Sequence, residues 1–190
     1  MMRIITGKAR GVRLKTLEGE ATRPTSERCK EALFSMLQFD IEGRDVLDLF
    51  AGSGQLGLEA LSRGALSATM VDKSKQATKI IDENIVKTKL LDGARVICSD
   101  AVDFIRTVRG RKKYDIVFID PPYAQRAAAG YAKKLYDAGL LKSTTIIACE
   151  SEEEDIFLSC PEAREVFEVI KQKKFSISYI TLLGVKGGEE

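Results

Sequence analysis

From residue 44 onward the chain alternates short apolar runs with longer stretches of helical period, and this alternation narrows its fold more than any other feature. Strands are expected at 46–50, 68–71, 95–98, 116–119 and 145–149, with helices near 56–63, 76–90, 102–108 and 128–137 between them. Runs at 166–171 and 175–183 close the pattern. Repeated strand–helix units demand a parallel sheet with right-handed crossovers and helices on both faces. Only a few residues join the last two runs, so they form an antiparallel hairpin and make the sheet mixed. Ahead of this core, residues 2–17 alternate around Gly7 and Gly11 in the manner of a β-hairpin. A helix follows, with Thr25 or Ser26 as its cap and Ala32, Leu33, Met36 and Leu37 on one face. The reading is α/β, one domain over 1–190: a basic amino-terminal extension (1–40) and a Rossmann-like core (41–190).

Composition removes whole classes of chemistry. The 190 residues contain no histidine, which excludes Ser-His and Cys-His nucleophile pairs, histidine metal sites and histidine proton shuttles. Cys29, Cys98, Cys149 and Cys160 lie far apart and form no Cys-x-x-Cys pair, so they read as reduced thiols of a cytoplasmic protein. The amino terminus is polar and basic rather than a signal peptide, and no stretch approaches a membrane span. Neither a metal nor a membrane is expected as a partner. The net charge is only +2, with 30 Lys and Arg against 28 Asp and Glu, yet its distribution is uneven. Arg3, Lys8, Arg10, Arg13, Lys15, Arg23, Arg28 and Lys30 crowd the first thirty residues, while acid gathers at Glu150 and from Glu152 to Asp155.

The loop Asp48-Leu49-Phe50-Ala51-Gly52-Ser53-Gly54-Gln55-Leu56-Gly57 runs from a strand into a helix. Glycines let a backbone turn sharply and approach a ligand where a side chain would collide. Gly52 to Gly57 satisfies the Gly-x-Gly-x-x-Gly dinucleotide pattern, and Asp72 follows by about 20 residues at a strand end, placed for a ribose hydroxyl. Two features favour S-adenosylmethionine over NAD. Asp48, just inside the loop, suits an ammonium and would repel a pyrophosphate. Asp100, ending the next strand after Ser99, can accept from an adenine amino group. Phe50, Ala51, Gly52, Ser53 and Gly54 of the loop, Lys73 beside Asp72 and Ala101 beside Asp100 complete the expected cofactor site. A helix N-cap is the structural alternative for each acid.

Asp120-Pro121-Pro122-Tyr123 ends the apolar run at 114–119. Two prolines forbid helix and remove two backbone donors, so the chain leaves the sheet on an extended path. A carboxylate, a proline carbonyl and an aromatic ring are thereby gathered at the carboxyl end of a strand, the edge at which open α/β folds bind ligands. Such a group can accept hydrogen bonds from an exocyclic amine and stack on the base that carries it.

With both motifs placed, the chain resembles class I S-adenosylmethionine-dependent methyltransferases of the amino-methylating kind. More narrowly it resembles the RsmD family of bacterial 16S ribosomal RNA guanine(966)-N2-methyltransferases. The resemblance runs through Met2-Arg3-Ile4-Ile5-Thr6-Gly7-Lys8, Thr22-Arg23-Pro24-Thr25-Ser26-Glu27-Arg28 and Lys30-Glu31-Ala32-Leu33-Phe34. It continues through the glycine loop, Gly57-Leu58-Glu59-Ala60-Leu61-Ser62-Arg63-Gly64-Ala65 and Asp120-Pro121-Pro122-Tyr123. Cys29 and Gln55 depart from the apolar or small residues expected there, and Asp72 replaces the more usual glutamate. The resemblance implies a Rossmann-like class I methyltransferase fold, S-adenosyl-L-methionine as cofactor, and 16S ribosomal RNA in an assembling 30S subunit as partner. It implies that Asp120, Pro121, Pro122 and Tyr123 are catalytic. The target base must leave its stack, which requires a grip on the RNA backbone; Arg10, Arg13, Arg23 and Arg28 are the candidates. No apolar periodicity demands an oligomer, so a monomer or weak homodimer is expected. The rival readings are a DNA adenine-N6 methyltransferase, which would need a recognition surface, an NAD-dependent oxidoreductase, and a non-catalytic RNA-binding module.

Overall fold

The computed structural model describes residues 2–17, 25–121, 127–175 and 178–187. Its contacts divide the chain into two compact units, 1–101 and 102–190. Three calls on the sequence, Arg23, Pro122 and Tyr123, lie outside the described residues, as do the cap side chains of Thr25 and Ser26.

In the first unit α1 (Thr25–Met36) precedes β1 (Asp45–Asp48), α2 (Gln55–Ser62), β2 (Ser67–Asp72), α3 (Lys75–Thr88) and β3 (Ala94–Cys98). Both strand pairs are parallel, with Asp48 opposite Met70 and Asp72 opposite Cys98. This is the register expected of strand–helix–strand units. β1 is shorter than the expected 46–50, because Leu49 and Phe50 already belong to the turn that opens the glycine loop. The core is Val46 and Leu47 of β1, Leu58 and Leu61 of α2, Met70 and Val71 of β2, and Ile81 and Ile85 of α3. The buried side of α1 is Cys29, Lys30, Leu33 and Phe34, with Leu37 buried just beyond its end, whereas Ala32 and Met36 are only half-buried. The helix face is thus rotated from the one drawn from apolar residues alone, and it carries a lysine inward.

The amino-terminal hairpin is present in a minimal form: one antiparallel bridge, Arg3 with Arg13, supported by Ile4 N–H donating to the Val12 carbonyl and Leu14 N–H to the Met2 carbonyl. So small a hairpin has little stability of its own; buried polar groups of the core hold it. Glu59 of α2 is fully buried. It accepts the N–H groups of Ile5 at 2.8 Å and Thr6 at 3.0 Å, the Arg63 Nε at 2.9 Å, and lies 3.5 Å from the Lys30 ammonium. Lys30 also donates to the Arg3 carbonyl at 2.5 Å. Ser62 accepts from Ala9 N–H through Oγ, while its own carbonyl accepts from Lys8 N–H. The approach at Gly7 is so close that a Cβ would fall 1.8 Å from the Ser62 carbonyl oxygen, and its φ of +85° adds a second demand for glycine.

The second unit opens as α4 (Ala101–Thr107) runs on from the boundary. It then contains β4 (Tyr114–Ile119), α5 (Ala128–Asp137), β5 (Leu141–Ser151), β6 (Phe167–Phe175) and β7 (Ser178–Val185). β4 pairs parallel with β5, and β7 pairs antiparallel with both β5 and β6. The expected closing hairpin is therefore β6–β7; Phe175, expected in its second run, ends the first. β4 is buried along its whole length, as a largely apolar run paired in parallel should be. The late acidic run fastens a loop: Asp155 pairs with Arg164, Tyr179 donates to Glu154 at 3.3 Å, and Gln172 donates to the Glu154 carbonyl. Among the described residues no helix is long and apolar enough to cross a membrane.

Candidate active site

The glycine loop is built by two carboxylates. Asp72, the last residue of β2, accepts the Gly52 N–H through Oδ2 at 2.9 Å and the Ser74 N–H through Oδ1 at 2.8 Å. Asp48, the last residue of β1, accepts the Gly57 N–H at 3.1 Å. Backbone bonds complete the turn: Ala51 N–H donates to the Val71 carbonyl and Gly54 N–H to the Ala51 carbonyl at 2.7 Å. Gly54 then begins α2 with φ +79°, and a Cβ there would lie 3.1 Å from Ile81. Left-handed backbone and a closed approach both require glycine at this position.

Asp48 is 2% exposed. Burial pushes its carboxyl up to about 7; the Gly57 and Phe50 amides oppose that shift and the neighbouring Asp72 adds to it. A carboxyl held this far from water is stabilised as an anion when a cation comes beside it. Asp72 is half-buried and Asp100 exposed, and the Ser99 N–H donating to the Asp72 carbonyl at 3.0 Å sets the end of β3 beside the end of β2. Phe50, Gly52 and Asp72 are partly open, Lys73 is exposed, and Ala51, Ser53, Gly54 and Ala101 are buried. All ten expected cofactor residues thus fall in the first unit. A loop held between two carboxylates fits S-adenosylmethionine, whose methionine end carries an ammonium.

In the second unit Asp120 and Pro121 follow directly on buried β4, and both are half-buried. Of the candidate RNA contacts, Arg10, Arg13 and Arg28 are exposed. Lys30, counted with the basic residues of the sequence, is instead enclosed against Glu59; burial draws its ammonium below the ordinary lysine range against the pull of that carboxylate.

Among the buried polar residues not singled out from sequence are Glu59 and Asn84, each bonded to the amino-terminal segment. Glu59 interrupts the apolar run Leu58 to Leu61, and Asn84 lies in the buried stripe Ala77, Ile81, Ile85 of α3. A polar side chain in an apolar stripe is the signal that could have flagged both.

A family model described as Conserved hypothetical protein 95 matches residues 2–184. Ribosomal RNA small subunit methyltransferase D of Haemophilus influenzae is 36% identical over 154 residues, covering 80% of each chain. The Escherichia coli protein of the same name is 37% identical over 154 residues, 81% of this chain and 76% of its own. The solved structure of yhhF from Escherichia coli matches with a TM-score of 0.83 and 33% identity over 97% of both chains, so the two share a fold.

Proposed function

The chain belongs to the Conserved hypothetical protein 95 family, the RsmD family, and from this we propose that it transfers a methyl group from S-adenosyl-L-methionine to the exocyclic N2 amine of guanine 966 in 16S ribosomal RNA. Residues 1–190 act as one Rossmann-like class I methyltransferase domain, and the substrate is the RNA of an assembling 30S subunit. The observation that carries the reading is the loop held between Asp48 and Asp72, an acid-lined backbone cradle suited to a cationic ligand. Its relatives are named as ribosomal RNA methyltransferases, which supports the substrate class.

S-adenosylmethionine supplies a methyl group already activated by its sulfonium, so the chain's task is placement of the nucleophile. Asp48 meets the ammonium, Asp72 the ribose hydroxyls and Asp100 the adenine amine; Phe50 to Gly54, Lys73 and Ala101 line the remainder. An exocyclic amine is a poor nucleophile because its lone pair is conjugated into the ring. Asp120 and the Pro121 carbonyl accept its two hydrogens, which favours a tetrahedral nitrogen and frees that pair. Pro122 and Tyr123 complete the motif, with Tyr123 stacking on the flipped base. Asp120 or water receives the proton. Arg10, Arg13, Arg23 and Arg28 hold the RNA backbone.

The test is transfer of label from S-adenosylmethionine to small-subunit RNA or particles lacking the modification, with Asp120→Ala alongside. Label on guanine N2 with the wild type, reduced at least roughly a hundredfold in the variant, is the expected result. Label on adenine would overturn the base assignment, and no cofactor binding would overturn the methyltransferase reading.

A further inference from the structure

Asn84 is fully buried on α3 and joins two parts of the chain that the reaction needs for different purposes. Its Oδ1 accepts the Lys15 N–H at 2.8 Å; its Nδ2 donates to the Lys15 carbonyl at 3.0 Å and to the Ser53 carbonyl at 2.9 Å. The partners fix the amide's orientation, since the flipped form would set NH2 against an N–H and oxygen against two carbonyls. One side chain therefore bonds both the amino-terminal basic segment and the cofactor loop. A second contact runs between the same two parts, with Ser53 Oγ donating to the Met2 sulfur at 3.1 Å.

The Ser53–Gly54 peptide is where this matters. Its N–H side is held by the Ala51 carbonyl at 2.7 Å and its C=O side by Asn84. Because a peptide is planar, bonds at both ends fix its rotation, and with it the entry into α2 at Gly54. Glu59 and Ser62 also hold the amino-terminal segment, at Ile5, Thr6, Lys8 and Ala9, but from the middle and the far end of α2, and neither bonds the loop in these contacts.

We infer that Asn84 is a positioning residue that couples the amino-terminal RNA-gripping segment to the S-adenosylmethionine loop, so that each ligand tightens binding of the other. The inference rests on the RNA role proposed above for that segment. A ligand that orders the segment orders Lys15, which orders Asn84 and the Ser53 carbonyl; the second ligand then has less ordering left to do. The coupling is reciprocal by linkage.

The experiment compares the full-length wild type with Asn84→Ala and Ser62→Ala. Hydrogen exchange is followed in the amides of 2–17 and 51–58. Calorimetric Kd for S-adenosylhomocysteine and the KM for S-adenosylmethionine are measured with and without small-subunit RNA lacking the modification. In the wild type RNA should tighten S-adenosylhomocysteine roughly fivefold to tenfold. Asn84→Ala should speed exchange in both stretches, weaken S-adenosylhomocysteine by a similar factor, raise KM more than it lowers kcat, and abolish the RNA effect. Ser62→Ala should speed exchange around Ala9, leave Lys15 and 51–58 at wild-type rates, and leave S-adenosylhomocysteine affinity at the wild-type value. Unchanged exchange in 51–58 for Asn84→Ala, or an equal affinity loss in Ser62→Ala, overturns the inference. So does a wild type that binds RNA with no effect on S-adenosylhomocysteine. A wild type that binds no RNA instead overturns the RNA reading and the coupling with it, while exchange in 51–58 still decides whether Asn84 holds the loop.

Discussion

Asp48 is held against the Gly57 amide with its carboxyl pushed up to about 7, mainly by burial. Between its ordinary value of 3.8 and about 7 the folded protein keeps a proton that the unfolded chain has lost. Stability from this group is therefore full below pH 4 and falls as pH rises through 7. Asp48→Asn keeps the acceptor for Gly57 and should remove that slope; urea unfolding of both proteins from pH 4.5 to 8 measures the difference. An arriving ammonium favours the anion, so S-adenosylmethionine should bind more tightly as pH rises toward 7, and less steeply so in the variant. Sequence placed Asp72 correctly at a strand end, because the spacing is local, whereas Asp48 ends a strand expected to run on to residue 50. It said nothing of how deeply Asp48 is enclosed, which depends on Gly57 and α2 closing over it.

The glycine loop and the amino-terminal hairpin behave differently as elements. Gly54 needs a left-handed backbone beside Ile81, and Gly54→Ala should cost about 1–2 kcal/mol in chemical unfolding and weaken cofactor binding. That demand was legible in the Gly-x-Gly-x-x-Gly pattern. The hairpin was legible only as alternation. What holds it is Glu59, which meets residues 54 and 53 positions away in the chain. Glu59→Ala leaves the buried Lys30 ammonium and two backbone N–H groups without that partner, and should destabilise the protein by about 3–5 kcal/mol in urea titration. Lys30→Met should cost less, since Glu59 keeps Arg63 and the Ile5 and Thr6 amides. Strand ends also moved where tertiary pairing overrode local pattern: β5 runs from Leu141 to Ser151 because β4 and β7 offer it partners beyond the apolar stretch 145–149.

Across the whole molecule, a net charge of +2 conceals how the basic residues are used. Lys30 is enclosed with Glu59, Arg3 pairs with Glu27 and Lys15 with Glu83, while Arg10, Arg13 and Arg28 stand exposed. If those arginines hold phosphates, Arg10→Ala with Arg13→Ala should weaken RNA binding evenly across sequences. It should also reduce the log–log salt slope by about one per arginine, read by titration from low to moderate salt. An unchanged slope would remove both from the interface. The sequence by itself determined the strand–helix alternation, the antiparallel ending, the loop and its acids, because period and turn chemistry are set by residues near one another in the chain. Only the tertiary structure decided which polar groups are buried and whom they meet: Lys30 turned inward, Glu59 beneath the hairpin, Asn84 bonded to a residue 69 positions away. Burial belongs to packed elements rather than to any residue, so these partners exist only once the helices have closed on the segment they hold.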